Sequence, residues 1–137
     1  MTFLAEYDLP KLAANLATIL FGLFIGAQLL LALGVLPITM AWGGRQTELT
    51  PGLRVASMAA TLMLGVFIYI VRYRAGLLGG MPTPTSIRML AWVVTGFMAL
   101  NTLGNFASLS SAERLLFGPG TFMITAACVI VAASQTN

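Results

Sequence analysis

The chain has 137 residues, of which 58% are hydrophobic and only 8% are charged, and its formal net charge is +3. A soluble domain carries roughly 25% charged residues, so this composition excludes a water-soluble globular fold. The seven basic residues are scattered rather than clustered. That distribution argues against a nucleic-acid partner and indicates contact with the headgroups of a lipid bilayer.

Four apolar stretches fill most of the sequence. They cover residues 12–36, 53–71, 87–106 and 115–133, and each has close to the ~20 residues that cross the hydrocarbon core of a bilayer. The connections between them are too short to build a second core. The sequence therefore predicts a single domain, residues 1–137, which is an all-α integral membrane four-helix bundle in up-down-up-down order.

The first helix carries a face of small residues. Asp8 and Pro10 suit an N-cap and a first turn, so they predict its start, and Pro37 predicts its end at Leu36. Small or weakly polar residues recur between these points at spacings of three and four: Asn15, Thr18, Gly22 and Gly26. Because such residues let helix backbones approach closely in lipid, we expect this face to pack inside the bundle. The pair of glycines is also typical of association between chains, which is the alternative.

The second helix carries a polar stripe. Thr50 and Pro51 predict its N-cap and first residue, and Gly79 predicts its end after Leu78. The stripe consists of Ser57, Thr61, Gly65, Tyr69 and Arg72. In one interpretation, the hydroxyls bond carbonyls of their own helix, and the tyrosine and arginine mark the headgroup level. In the other, the stripe is a polar lining that leads to a basic mouth formed with Arg74.

The third and fourth helices are predicted to form an antiparallel hairpin. The proline-rich linker ends at Pro84, so Thr85 or Ser86 is expected to cap the third helix. Ser110 and Glu113 match the Ser-x-x-Glu capping box, which predicts the start of the fourth helix. Only a very short turn is left between the two helices.

The fourth helix is predicted to be kinked at Gly118-Pro119-Gly120. The proline has no N–H group and crowds the carbonyl four residues earlier, that of Leu115. A polar backbone group in lipid must find a partner within the protein. The sequence therefore predicts that a neighbouring side chain bonds the Leu115 carbonyl.

Two asparagines lie beside this break. Asn101 and Asn105 share one face of the third helix, at about the depth of residues 115 to 119 of the fourth. In one interpretation the Asn105 amide donates to the freed carbonyl of Leu115. In the other, the asparagines and the broken helix line a polar cavity for an ion or small solute. The candidate residues of this cavity or helix-packing site are Asn101, Asn105, Gly118, Pro119, Gly120, Thr121 and Thr125.

Aromatic and basic residues near the span ends are predicted to lie at the headgroup level. These anchors are Trp42, Arg72, Arg74, Arg88 and Trp92. If both termini are cytoplasmic, four basic residues lie inside and three outside: Lys11, Arg72, Arg74 and Arg88 against Arg45, Arg54 and Arg114. This small excess favours cytoplasmic N- and C-termini.

The spans contain no His, Asp, Glu or Lys near their middles, and Cys128 is the only cysteine. Acid–base catalysis, zinc, haem and paired-thiol chemistry need those groups, so we expect no enzyme activity, no cofactor and no metal. Two functions stay open. The first is a structural or accessory subunit that packs against a partner membrane protein or a second copy. The alternative is a small oligomeric channel or carrier with an uncharged polar site between helices three and four.

Overall fold

The computed structural model describes residues 8–80 and 82–134. Its long helices are α1 (Leu9–Ala32), α2 (Pro51–Arg74), α3 (Thr85–Phe106) and α4 (Glu113–Ala132). The described residues contain no strand. All four helices are long and apolar enough to cross a membrane, so the prediction of an all-α, four-span membrane protein is confirmed.

Three of the helix starts are capped as predicted. The Asp8 carboxylate accepts from the Lys11 N–H, and the Thr50 hydroxyl accepts from the N–H of Leu53 at 3.1 Å. At α4 the Ser110 hydroxyl accepts from the backbone N–H of Glu113. The prediction for α3 is wrong, because the helix already begins at residue 85, with a proline rather than a hydroxyl residue at the cap position.

Two helices end earlier than predicted, and a glycine explains each end. Gly34 and Gly76 have φ of +80° and +86°, and each follows the last helical turn in the left-handed conformation typical of a Schellman motif. The N–H groups of Val35 and Leu77 then bond carbonyls five residues back. As a result α1 ends at residue 32 rather than 36, and α2 at residue 74 rather than 78.

The core is built from alanine and large apolar side chains. On α1 the buried face is made of Ala13, Ala14, Ala17 and Phe21. The Phe21 ring contacts the ring of Phe67 on α2, with ring centroids 6.1 Å apart. Helix α1 packs along α2 and α4, and α3 packs along α4, which gives the antiparallel bundle that the short connections require.

The glycine face of α1 does not pack inside the bundle, so that expectation is wrong. Gly22 is exposed and Gly26 half-buried, and a Cβ atom built on either would have no neighbour within 4 Å. The other half of this face does contact α2. The Arg72 guanidinium donates to the Asn15 side chain at 2.9 Å and to the Thr18 hydroxyl at 3.3 Å.

The polar stripe of α2 does not form a continuous lining. Thr61 donates to the carbonyl of Ser57, which agrees with the first interpretation, and Tyr69 is exposed and packs on Tyr73. The Arg72 guanidinium donates to Asn15 and Thr18 of α1. The stripe therefore divides into contacts within α2 and contacts with α1.

The predicted headgroup anchors fall into two groups. Trp42, Arg88 and Trp92 are exposed, as an anchor must be. Arg74 is only 1% exposed, and its guanidinium donates to the carbonyl of Ser134 at 2.7 Å. Arg74 therefore ties α2 to the end of α4. The headgroup depth of these residues and of Arg72, which is half-buried, stays a prediction.

The interruption of α4 lies one turn ahead of the position predicted. Residues Glu113–Phe117 form a π turn, and the N–H of Gly118 bonds the Glu113 carbonyl, five residues back. Gly118 keeps helical angles, and an α-helix continues over Gly118–Ala132. Because Pro119 cannot donate to a carbonyl and its ring needs room on the preceding turn, a wider turn directly before it resolves the conflict.

Candidate functional site

A cavity of about 440 Å³ lies between the helices, at the end of the bundle that carries the first connection and the α3–α4 turn. Most of its wall is apolar and comes from all four helices. The apolar lining includes Phe24, Leu31, Met63, Leu64, Phe97, Met98 and Phe117. The side chains that bring polar atoms to it are Gln28, Trp42, Asn101, Asn105, Glu113 and Thr121.

The first connection covers this cavity. We call residues 38–44 the lid, because Ala41, Trp42 and Gly43 form part of the lining. Two hydrogen bonds fix the lid to the α3–α4 turn: Leu109 N–H donates to the Gly43 carbonyl at 3.1 Å, and the Ser110 hydroxyl donates to the Met40 carbonyl at 3.1 Å. The lid, which belongs to the connection between α1 and α2, is thus hydrogen-bonded to the hairpin of α3 and α4.

The lid has an unusual backbone. Trp42, Gly43 and Gly44 have φ of +55°, +79° and +77° in succession, and among the described residues Trp42 is the one non-glycine residue with a positive φ. A left-handed conformation costs a tryptophan about 1–3 kcal/mol. Strain of this kind persists only where surrounding contacts impose it. Here it places the indole in the cavity lining and the Gly43 N–H toward α4.

Glu113 holds the lid from the α4 side. Its Oε1 atom accepts from the Gly43 N–H at 3.0 Å and from the Ser108 hydroxyl. Within the described residues its Oε2 atom has no hydrogen-bond partner, and the one ion pair joins Lys11 to Asp8. Glu113 is only 8% exposed. The residues that line the cavity therefore include, in the described part of the chain, a buried carboxylate without an ion-pair partner.

Sequence reasoning missed this role of Glu113. The Ser-x-x-Glu pattern predicts a capping box, and the Ser110 half of the box is present. The carboxylate does not return to the Ser110 N–H, which donates to the hydroxyl of Ser108 instead. Glu113 reaches Gly43, which is 70 residues away in the chain, and no local pattern could reveal such a contact.

Amide side chains supply the other polar groups of the cavity. Asn105 is buried, and its amide donates to the Thr121 hydroxyl at 3.2 Å. The predicted bond from Asn105 to the Leu115 carbonyl is absent from the described contacts, so that interpretation is wrong. Asn101 lies at the open side of the cavity and is exposed. Gln28 of α1 contributes a buried Oε1 atom without a partner among the described residues.

The predicted site residues divide into lining and packing positions. Asn101, Asn105 and Thr121 line the cavity. The Thr125 hydroxyl lies outside the lining and 3.2 Å from that of Thr102. Gly118 allows close approach of the Phe106 ring, Gly120 does the same for Phe24, and Pro119 is exposed. The structure therefore joins three of the seven predicted residues to residues of α1 and of the lid.

Comparison with known proteins adds no further constraint. The chain matches no protein-family model, no curated protein and no solved structure. Among the described residues no cluster of three or more His, Cys, Asp or Glu side chains could hold a metal ion. The chemistry of the cavity itself is what remains to indicate a function.

That chemistry is typical of a small-molecule site. Ligand pockets are concave, of about 300–1,000 Å³, and mostly apolar with a few convergent polar groups. The cavity meets each of these criteria, and its lining includes four aromatic rings, those of Phe24, Trp42, Phe97 and Phe117. It can hold a molecule that is partly apolar and that carries one polar end.

Proposed function

We propose that this chain is a multi-pass membrane protein that binds a small amphiphilic solute inside its helix bundle, as a carrier or solute-binding subunit. One observation supports the proposal above the others: the cavity combines apolar walls with Gln28, Asn101, Asn105 and Glu113, and the Oε1 atom of Gln28 is buried without a partner among the described residues. Buried polar groups without partners are rare. A bound solute that donates hydrogen bonds would satisfy them.

The solute enters sideways, between α2 and α3. Asn101 and Gly104 of α3 line the cavity and are exposed at the same time, and Ala60 of α2 is half-buried beside them. Deeper in the bundle the same two helices are closed by the rings of Phe67 and Phe97, whose centroids lie 5.2 Å apart. This opening faces the lipid, which is the route that an amphiphile dissolved in the bilayer would take.

The orientation follows the charge bias. With cytoplasmic termini, the basic group of Lys11, Arg72, Arg74 and Arg88 lies inside, and the lid lies on the outer side of the membrane. The terminal residues themselves lie outside the described part of the chain. Attachment of a cysteine-reactive, membrane-impermeant label to Thr47→Cys in intact cells tests this orientation, because residue 47 is exposed in the outer connection.

A matched pair of glycine substitutions tests the binding function. Gly104 and Gly96 are both exposed positions on α3 with no atom within 4 Å of an added Cβ, but only Gly104 lines the cavity. We expect Gly104→Phe to abolish quenching of Trp42 fluorescence by a small amphiphile that carries a nitroxide quencher, and Gly96→Phe to preserve it. Both variants carry Trp92→Phe so that Trp42 is the only fluorophore of its kind. Equal quenching in the two variants contradicts the proposal.

A second candidate function is a structural subunit that associates with a partner membrane protein or with a second copy. Gly22 and Gly26 on α1 and Gly65 on α2 support it, because all three leave open space where another helix backbone could approach. Cross-linking in the membrane tests this function. Association that is unchanged by Gly22→Leu and Gly65→Leu contradicts a role for these glycines.

A further inference from the structure

We infer that the solute is a monovalent organic cation with an apolar body, held with its ammonium group at Glu113 and Gln28 and its apolar part among the aromatic rings. This inference rests on the proposed function, because it names the class of ligand that the same cavity binds. Three independent features of the lining support it: its charge, its hydrogen-bonding inventory and its aromatic content.

The charge of the lining is unbalanced. Among the described residues that line the cavity, Glu113 is the one with an ionisable carboxylate, and none is a lysine or an arginine. The neighbouring Arg114 is exposed and donates to the carbonyl of Ser108 at 2.7 Å, away from the lining. A carboxylate that is buried without a counterion is costly. A cation inside the cavity removes that cost, whereas an anion increases it.

The lining offers open hydrogen-bond acceptors. Among the described residues, Oε1 of Gln28 is buried without a partner, and both hydrogen bonds of the Glu113 carboxylate go to Oε1, which leaves Oε2 without one. An ammonium group has only donors, so it complements both of these oxygen atoms.

The aromatic rings supply the third feature. Phe24, Trp42, Phe97 and Phe117 all belong to the lining, and Phe24 and Phe117 are packed edge to face, with centroids 5.6 Å apart. Ring faces attract cations, and tryptophan does so most strongly. The same rings accept the hydrocarbon part of the ligand. They therefore suit one molecule that combines both characters.

A pair of probes of matched size tests the inference. 4-Phenylbutylamine is protonated at pH 7, and 4-phenylbutanol is its neutral counterpart with a hydroxyl in place of the ammonium group. Binding is measured by titration calorimetry in phosphatidylcholine nanodiscs, with empty nanodiscs as the blank for partitioning. We expect the amine to bind at least about tenfold more tightly than the alcohol. Equal or weaker binding of the amine overturns the inference.

This measurement separates the two proposals. If the alcohol binds as well as the amine, and Gly104→Phe abolishes both, the cavity binds solutes but does not select cations. If neither probe binds, or if Gly104→Phe leaves both affinities unchanged, the proposed function fails as well. A preference for the amine that Gly104→Phe abolishes supports both proposals.

A variant pair then assigns the preference to Glu113. Glu113→Gln keeps an oxygen that can accept from the Gly43 N–H but removes the charge. The control variant, Glu48→Gln, removes an exposed carboxylate of the first connection, which is outside the cavity lining. We expect the amine-to-alcohol preference to fall to about unity in Glu113→Gln and to persist in Glu48→Gln. Persistence of the preference in Glu113→Gln overturns the inference. If Glu113→Gln does not fold, the ratio of amine affinity to alcohol affinity in the wild-type protein tests the inference by itself.

Discussion

The carboxylate of Glu113 accepts a hydrogen bond of 3.0 Å from the backbone N–H of Gly43, across 70 residues of sequence. This contact connects the strained lid to the first turn of α4. Among the described residues, Glu113 is the one carboxylate in the cavity lining, and the contact commits one of its oxygen atoms to the lid while the other forms no hydrogen bond. The lid and the cavity lining therefore share one side chain.

Glu113→Leu is predicted to destabilise the protein by about 1–3 kcal/mol, because it leaves the Gly43 N–H and the Ser108 hydroxyl without an acceptor. Unfolding in SDS, followed by circular dichroism, measures the change. Glu113→Gln is the control, since it retains an acceptor oxygen and is expected to lose less. Equal stability of wild type and the leucine variant would show that the lid contact is unimportant.

Gly44→Ala is predicted to be more harmful than Gly43→Ala. Both positions have a positive φ near 78°, so both carry the strain of a left-handed alanine, about 1 kcal/mol or more. Only at Gly44 would the new Cβ meet backbone, at 2.5 Å from the nitrogen of Ser110. The melting temperatures of the two variants in detergent decide the point. Identical values would mean that the lid moves away from the α3–α4 turn at little cost.

Asn105→Leu is predicted to lower stability by about 1 kcal/mol, through loss of the bond to the Thr121 hydroxyl inside the bundle. Asn101→Leu is the matched control on the same helix face. It is exposed and forms no hydrogen bond to another described side chain, so its stability should match that of wild type. Comparable losses in both variants would contradict the assignment of Asn105 as the bonded member of the pair.

Gly22→Ala is predicted to leave the stability of the monomer unchanged or to raise it by up to about 1 kcal/mol, because alanine favours the helix and has free space there. Gly118→Ala is the contrasting variant. Its Cβ would lie 2.8 Å from the Phe106 ring, which has to shift inside a packed hairpin. Measurement of both in monodisperse detergent samples tests this, and a destabilised Gly22→Ala would indicate a contact that the glycine makes with another chain.

The parts of the fold that depend on neighbouring residues could be predicted from the sequence. Spans follow from the length of apolar runs, and the caps at Thr50 and Ser110 follow from a side chain bonding an N–H three residues on. The sequence does not determine which of two nearby glycines ends α2. Gly76 and Gly79 both have a positive φ, and only packing in three dimensions decides which one ends the helix.

The inner and outer faces of the helices could not be predicted in the same way. In water, burial separates apolar from polar side chains, but in lipid both faces are apolar. The positions of small residues are therefore the remaining sequence signal for the inner face of a helix. In α1 the buried small residues are alanines rather than glycines. Of the candidate site, Asn101, Asn105 and Thr121 were predicted, because they share a hairpin. Gln28 and the lid come from distant parts of the chain.

The π turn of α4 has a consequence for how the chain tolerates insertions and deletions. A turn closed by bonds of five residues holds one residue more than an ordinary helical turn, and each residue of an α-helix advances the side-chain direction by about 100°. Deleting Leu116, which is exposed, is therefore expected to remove the surplus residue and to keep the side-chain directions on both sides of the turn, so that Glu113 stays inside the bundle. A deletion in the regular part of α4 would instead rotate the two flanking segments relative to each other by about 100°.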